Sequence, residues 1–582
     1  MASIRAVEAL PVPEPVAAVE VAELVVRFLE TAGVEYVFGI PGGAVEPLYN
    51  ALARSERRGG PRAVVARHEA GAAFMADGYA RETGKLGVCV TTSGPGATNL
   101  LTGVACAYTG NIPLLALTAQ PVLPSFGRGP VQESSCTGVD VVAMFRHCTR
   151  YNSFVSHPEQ LEIKLVSAVL HALGRPPGPA HLSIPLDVLR APVVPRHPPF
   201  DRALLARPPC LIDERAVAAL DSDLAAARRP VFLVGAGAGE AVEAIMGLVR
   251  FTGAVFATTP DGKGLVDPGH PAYRGVFGFG GHASAERALD DADQVVAFGT
   301  GFGELASGGW SASVLNDRLI HVDDVPENLH RSPMARLHVL GHLRSVCERI
   351  LASRRASLDG MVQRRPAAPA GTVALRAPEQ YRSEASPIKP QRLMKELSER
   401  VPPGTRFVAD SGNSLAWTSH YLQPRRSAGA NWLRVALDFA PMGWAIGAAI
   451  GIARGAPGCP VVCVTGDGAY LMSGQEITTA LEERLPVLFV VLNDRAYGMV
   501  MHGQRLAGAE PIAYQLPTVD FRAMAEAVGV PGHVIESPAD FDRLDLAGIL
   551  AHPGPALLDV RIDREEVPPI TVRLKALGTS KE

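Results

Sequence analysis

Three absences narrow the reading first. No apolar run is long enough to cross a bilayer: near the C-terminal third the longest uncharged stretch, Phe439 to Ala453, has 15 residues, against the roughly 20 that a spanning helix needs. There are eight cysteines in 582 residues and no Cys-x-x-Cys pair, so a reducing, cytoplasmic setting is expected. Neither sign of charge is in excess: 55 Lys and Arg stand against 59 Asp and Glu, a net charge of −4. That balance leaves no basic footprint for nucleic acid or anionic lipid, and a small-molecule partner is expected. The first twenty residues carry acids and prolines where a secretory signal would need an apolar core, and read as a disordered lead-in. What is present is 47% hydrophobic, enough for about three to five globular units, each with its own core.

Two proline-rich segments, Ala191 to Cys210 and Arg364 to Pro390, divide the chain into similar thirds and read as linkers without regular elements. The boundaries fall at 1–190, 191–212, 213–353, 354–390 and 391–582. In the first third, Ala22, Val25, Val26 and Leu29 line one helix face, Gly33 can end that helix in a left-handed conformation, and VEYVFGI follows as a buried strand. The middle third offers PVFLVGAGAGE, GAVFATTP, DQVVAFGTG and RLIHVDD; the last offers FVADSG, PVVCVTGDG, VLFVVLND and ALLDVRI. Strands alternating with helical patterns predict an α/β protein of three doubly wound parallel-sheet domains. The Gly, Asp and Ser residues that end the strands lie where such sheets bind ligands.

The last third carries the most specific chemistry. In PVVCVTGDGAYLMSGQEITTALEE a strand meets a tight Gly-Asp-Gly turn and then a helix, so Gly466 and Gly468 allow close backbone approach and the helix start offers N–H groups to an anion. A second strand, PVLFVVLND, brings Asn493 and Asp494 to the same edge, Asp494 lying 27 residues after Asp467. Two hard carboxylates beside an anion-binding turn suit Mg²⁺, which leaves its other positions to phosphate, carbonyl and water.

This spacing resembles the diphosphate motif of thiamine-diphosphate enzymes, and the chain over nearly its full length resembles their acetolactate synthase-like (acetohydroxyacid synthase large subunit) branch. VFGIPGGAVEPLYNAL from Val37, RHEAGAAFMADGYAR from Arg67 and TTSGPGATNLLTGVACAY from Thr91 carry the likeness in the first third. The resemblance implies a pyrimidine-binding, a central and a diphosphate-binding domain, with thiamine diphosphate and Mg²⁺ as cofactors. Asp467, Asp494 and the carbonyl of Ala496 would hold the metal, Asp494 standing where many relatives have Asn. Contacts to the cofactor would come from Pro41, Gly42, Gly94, Pro95, Asn99, Ser411, Gly412, Asn413, Ser414, Gly466, Gly468, Ala469 and Tyr470.

By the same likeness, Glu69 would be the acid bonded to N1′ of the aminopyrimidine, the contact that makes C2 of the thiazolium a base-accessible carbon. It needs an apolar setting, which Ala70 to Phe74 can supply. Met442 would be the wedge that bends the cofactor, and Gln132, in PVQES, would bond the substrate. Family members place the two ends of the cofactor on different chains, so a homodimer or homotetramer with active sites between chains is expected.

Three departures bear on the substrate. Val131 replaces a phenylalanine; Gly299 to Leu305, GTGFGEL, lacks both arginines of the family's flavin-region motif; and Gly503 stands where a tryptophan favours 2-oxobutyrate. FAD is therefore not expected. The implied reaction is decarboxylation of a 2-oxo acid, with pyruvate leading, and transfer of the acyl carbanion to a carbonyl acceptor. A non-ligating decarboxylase or lyase is the alternative. His502 is open between a substrate contact and a structural histidine. A nicotinamide oxidoreductase is disfavoured: GAGAGE, from Gly235, matches the dinucleotide fingerprint only partly, and the next strand lacks its acidic residue. A non-catalytic scaffold subunit is the remaining reading.

Overall fold

Runs such as Val461–Gly466 and Val487–Asn493 are apolar almost throughout because both faces of each strand are buried, the situation of a parallel sheet covered by helices on two sides. The computed structural model describes residues 17–195, 212–356, 371–424 and 431–570. Within them lie three six-stranded parallel sheets, one in each third of the chain, as the alternation of strand and helix patterns predicts.

The first sheet runs Arg62–Val65, Tyr36–Gly39, Gly87–Thr91, Leu114–Gln120, Pro179–Pro185, Tyr151–Phe154, which is order 2-1-3-4-6-5 in the domain's own chain order. The third sheet repeats that order with Leu433–Val435, Arg406–Ala409, Val461–Gly466, Val487–Asn493, Ala556–Arg561 and Gly532–Ile535. The middle sheet differs. It runs Tyr273–Val276, Val255–Thr258, Pro230–Val234, Gln294–Phe298, Leu319–Asp323, Leu337–Leu340, the 3-2-1-4-5-6 order of a dinucleotide fold. In each sheet the chain reverses direction of travel beside the domain's first strand, and the carboxyl ends of the flanking strands open a crevice there. Those ends are Ile40 and Thr92 in the first domain, Gly235 and Gly299 in the second, and Asp410 and Asp467 in the third.

The first and third domains each keep a core of their own and share a further one between them. Helix Glu69–Thr83 packs along helix Trp444–Gly455, and Phe74, Met75, Tyr79, Trp444, Ile446 and Ile450 are buried in one shared apolar cluster. Full burial of such a side chain is worth about 1.5–3 kcal/mol. Glycines set the approach: a β-carbon on Gly78 would meet the Ala448 carbonyl oxygen at 2.2 Å, and one on Gly447 would meet Phe74 at 2.7 Å. Polar clasps flank the apolar seam. The Trp444 indole N–H and Arg81 both donate to buried Asp77, and Glu82 receives Arg406 and Arg434. Each domain thus has the core of its own that its composition leads one to expect, and the shared cluster is added to it.

The linkers also differ from expectation in part. Pro192–Val193 pairs antiparallel with Val19–Glu20, since proline is tolerated at a sheet edge where no N–H is required. Of the second segment, Gly371 packs against Arg274, the Arg376 carbonyl accepts from the Tyr421 hydroxyl, and Ile388 bridges to Ile562. The lead-in to residue 16 and residues 196–211 and 357–370 of the linkers lie outside the described residues. No described helix is long and apolar enough to cross a membrane.

Candidate active site

The residues singled out from the sequence collect into two groups, one at the crevice of the first sheet and one at that of the third.

In the first group, Gly94 (φ 58°) precedes helix Pro95–Thr109, and Pro95 opens it without wasting a donor. Asn99, one turn in, donates from Nδ2 to Glu69 at 2.9 Å. Glu69 is the first residue of its helix, and a β-carbon on Gly96 would lie 3.5 Å from its carboxylate. Gly42 backs onto Thr92, with 2.6 Å from its would-be β-carbon to that side chain, while Pro41 beside it is exposed. Gln132 sits directly over the Gly94 turn: a β-carbon on Gly94 would fall 2.8 Å from that of Gln132. Gln132 itself holds φ at 60°, an uncommon conformation for a residue with a side chain. The expectation of a buried Glu69 is not met within one chain, where the carboxylate is only half-buried. Its apolar neighbours Gly71 to Phe74 point into the shared core instead.

In the second group, Asp467 begins helix Asp467–Ser473 and Asp494 follows strand Val487–Asn493. Both are buried. Asp467 accepts the Gly468 N–H at 2.7 Å through Oδ1, while its Oδ2 is buried without a partner. Burial raises its pKa to about 6. Burial, then the charge of Asp467 beside it, pushes Asp494 up to about 7, with the Arg564 guanidinium pulling the other way. Two buried carboxylates, one of them raised by the charge of the other, with an oxygen left unsatisfied, fit a cation. Ala496 donates its N–H to Asp494 at 3.1 Å, and the loop turns at Arg495, φ 57°. Asn493, next to Asp494 but on the opposite face of the strand, donates to Asp559 and is structural.

The Gly-Asp-Gly segment works differently from a tight turn. Gly466 ends the strand in an extended conformation and opens onto free space, and the helix starts at Asp467. The β-carbon position of Gly468 is taken by the Tyr497 ring, 2.6 Å away. Ala469 is buried, and the Tyr470 ring packs edge-on against Phe521 in the core at 5.4 Å, so Tyr470 offers the site its backbone and not its ring. Gly412, φ 95°, also opens onto free space before helix Asn413–Tyr421. Asn413 Oδ1 is buried and unpartnered. Ser414 donates to the carbonyls of Asp410 and Ser411, and the Ser411 hydroxyl donates to the Pro441 carbonyl at 3.4 Å. Met442 is 38% exposed beside this loop. His502 is buried, its pKa lowered by burial, and Gly503 faces open space.

Family comparison decides the identity. The model of the thiamine pyrophosphate enzyme N-terminal TPP-binding domain matches residues 19–144, that of the central domain 217–350, and that of the C-terminal TPP-binding domain 410–560. The chain is a thiamine-diphosphate-dependent enzyme of the acetolactate synthase type. It is 33% identical to a putative acetolactate synthase large subunit of Mycobacterium tuberculosis, over 94% of this chain and 98% of that one. It is 32% identical to the acetolactate synthase isozyme 2 large subunit of Escherichia coli, over 94% and 96%. A probable acetolactate synthase large subunit of Methanocaldococcus jannaschii matches at 31%, over 94% and 93%.

Several residues that support the site of this thiamine-diphosphate enzyme escape sequence reasoning. Asp410, buried, accepts the Gly443 N–H at 3.0 and 3.1 Å, the Thr465 hydroxyl at 2.8 Å and the Ser411 N–H at 2.9 Å. It thus ties the Met442 loop to two strand ends, and burial raises its pKa to about 6. Gln120 and Ser134, both buried, exchange hydrogen bonds, and Ser134 Oγ accepts the Gly94 N–H at 3.2 Å, which pins the Gln132 loop to the Gly94 turn. Glu133 gathers Gly127 N–H, Ser135 and Thr137, holding its carboxyl down at about 2. The only sequence signal for Asp410 is its place at a strand's carboxyl end; Gln120 and Ser134 give none.

A cleft of about 1020 Å³ opens at the crevice of the middle sheet, where Gly237, Gly299, Gly301 and Asp323 meet Arg81 and Asp438 from the outer domains.

Proposed function

We propose that this enzyme decarboxylates a 2-oxo acid, with pyruvate as the leading donor, and joins the acyl unit to a carbonyl acceptor. When bound, thiamine diphosphate supplies the C2 carbon that adds to the donor and holds the charge left as CO2 departs. Mg²⁺ would be held by Asp467, Asp494 and the Ala496 carbonyl, with the diphosphate in the open space beside Gly412, Asn413 and Gly466. The single observation carrying this reading is the buried, unpartnered Oδ2 of Asp467 next to the raised carboxyl of Asp494.

Glu69 would hold a proton at N1′ of the pyrimidine, with Asn99 keeping its carboxylate oriented. Met442 would support the bend between the rings, and Gln132 would orient the donor. A half-buried Glu69 suits a site completed by a second copy. Around the two groups, Val131 is 88% exposed, and Met442, Leu471 and Met472 are exposed as well, apolar surface that a homodimer or homotetramer would cover. The seven described cysteines are free, which agrees with a cytoplasmic setting. The missing arginines of Gly299 to Leu305 argue that FAD takes no part.

Purified enzyme given pyruvate, Mg²⁺ and thiamine diphosphate should release CO2 and form acetolactate. Acetaldehyde in its place would establish the non-ligating decarboxylase. Glu69→Gln should abolish exchange of the cofactor C2 proton while sparing cofactor binding; wild-type exchange in that variant removes Glu69 from the mechanism.

A further inference from the structure

We propose that Glu476 is the positioning residue for Glu69, an inference that rests on Glu69 acting at the pyrimidine. Glu476 comes from the third domain and is fully buried, yet its carboxylate faces the first domain. It accepts the backbone N–H of Arg67 at 3.1 Å through both oxygens and that of His68 at 2.9 Å, and the Thr479 hydroxyl donates to it at 3.1 Å. Arg67 and His68 are the two residues immediately before Glu69, and His68 is the extended residue from which helix Glu69–Thr83 departs.

The first turn of that helix is shaped around the carboxylate. A β-carbon on Gly71 would lie 2.1 Å from Glu476 Oε1, so only glycine leaves room for it. The surrounding contacts lock the same junction from outside. Arg67 donates to Thr478 at 2.8 Å and to Glu482 at 2.7 Å, and the Thr479 hydroxyl also reaches the Val65 carbonyl at 3.1 Å. His68 Nδ1 meanwhile accepts the Ala70 N–H, fixing the helix start.

The placement of Glu476 along the chain gives this clasp its meaning. Helix Asp467–Ser473 leads directly into the turn Gly474–Glu476. One ten-residue stretch therefore carries Asp467 at one end and, at the other, the carboxylate that sets the backbone on which Glu69 is mounted. A surface acid would need no such burial; buried charge is retained where its hydrogen bonds fix a geometry. An acid that must meet a ring nitrogen is sensitive to a displacement of about 1 Å, which can cost on the order of 100-fold in rate.

The test compares Glu476→Ala, Glu476→Asp and Glu476→Gln. In the cofactor-free protein, hydrogen–deuterium exchange of the 66–72 segment should speed up in the Ala and Asp variants and stay near wild type in Gln, whose amide oxygen can still accept from Arg67 and His68. In the loaded enzyme, exchange of the cofactor C2 proton, followed by NMR, should fall on the order of 100-fold in Ala and about tenfold in Asp. It should recover to within about fivefold in Gln. Mg²⁺-dependent cofactor affinity should change by less than about threefold in the Asp and Gln variants. Unchanged C2 exchange in the Asp variant overturns the proposal, as does a loss of cofactor affinity parallel to the loss of exchange, which marks a merely structural residue. Glu69→Gln run alongside separates the two levels: if it leaves exchange intact the reading of Glu69 fails, and if it abolishes exchange while the Glu476 variants do not, only the positioning role fails.

Discussion

The α-carbon of Gly451 lies against the carbonyl of Met75, two residues that belong to different domains: a methyl group at position 451 would sit 1.9 Å from the Met75 oxygen. The contact is backbone on backbone, so neither side can rotate away. Gly451→Ala should therefore lower unfolding free energy by about 1–3 kcal/mol through overpacking, despite alanine's better helix propensity. Gly503→Ala, in a helix position facing open space, should instead be neutral or stabilise by about 0.5–1 kcal/mol. Urea unfolding of the two variants checks both signs, and an unaffected Gly451→Ala would mean that the seam between helices is loose.

The carboxyl pair in the third domain makes metal dependence a function of pH. Asp467 and Asp494 are raised from an ordinary 3.8 to about 6 and about 7, so between pH 4 and 7 the folded, metal-free protein binds more protons than the unfolded chain. Its stability falls as pH rises through that window. A divalent cation replaces those protons, so the thermal shift produced by Mg²⁺ should be small near pH 5 and level off above pH 7.5. Asp494→Asn removes one titrating charge and should flatten that profile. A Mg²⁺ shift of equal size at pH 5 and 8 would contradict the paired-carboxylate site.

A second buried charge acts with the opposite sign. Lys263, from the middle domain, is buried against the last turn of helix Asn413–Tyr421 and donates to the Thr418 and Ser419 carbonyls at 2.8 and 2.9 Å. Burial lowers its pKa from 10.5 to about 7. Between those values the unfolded chain carries the proton and the folded one does not, so stability rises with pH across pH 7 to 10, by up to about 1.4 kcal/mol per pH unit, and the dependence disappears below 7. Lys263→Met should lack that slope. Subtracting variant from wild-type unfolding free energies at pH 7, 8 and 9 isolates it, and parallel curves would refute a neutral, buried Lys263.

Much of this architecture was legible because buried parallel strands and glycine-ended turns write strong local patterns. Each strand named from the sequence forms, and Gly33 does end its helix in the left-handed region, at φ 77°. The core shared by the first and third domains was not legible, since nothing in the sequence of Trp444–Gly455 shows which backbone its glycines will meet. Glu476 was hidden for a related reason. Amid Glu482 and Glu483 it looks like one more solvated acid, and only the fold turns it toward Arg67 and His68. Glu69 erred the other way. Its apolar neighbours suggested burial, but a helix places successive residues around its circumference, and Gly71 to Phe74 face the core while the carboxylate stays half-exposed.

Gly498 provides a case where propensity and geometry disagree. It opens helix Gly498–Ala507, where alanine would ordinarily stabilise by about 0.5–1 kcal/mol. Its would-be β-carbon, however, falls 2.5 Å from both Asn413 Nδ2 and Asp494 Oδ2, side chains from a helix start and a strand end that converge on the same point. A methyl group there must push one of them aside. Asp494 is held at its other oxygen by the Ala496 N–H, so the adjustment falls on side chains of the site itself. Gly498→Ala should therefore weaken Mg²⁺-dependent binding of thiamine diphosphate by at least about tenfold, near 1.4 kcal/mol, with a melting temperature unchanged or higher in the metal-free protein. Wild-type cofactor affinity in that variant, measured by titration at fixed Mg²⁺, would place Asn413 and Asp494 outside the cofactor site.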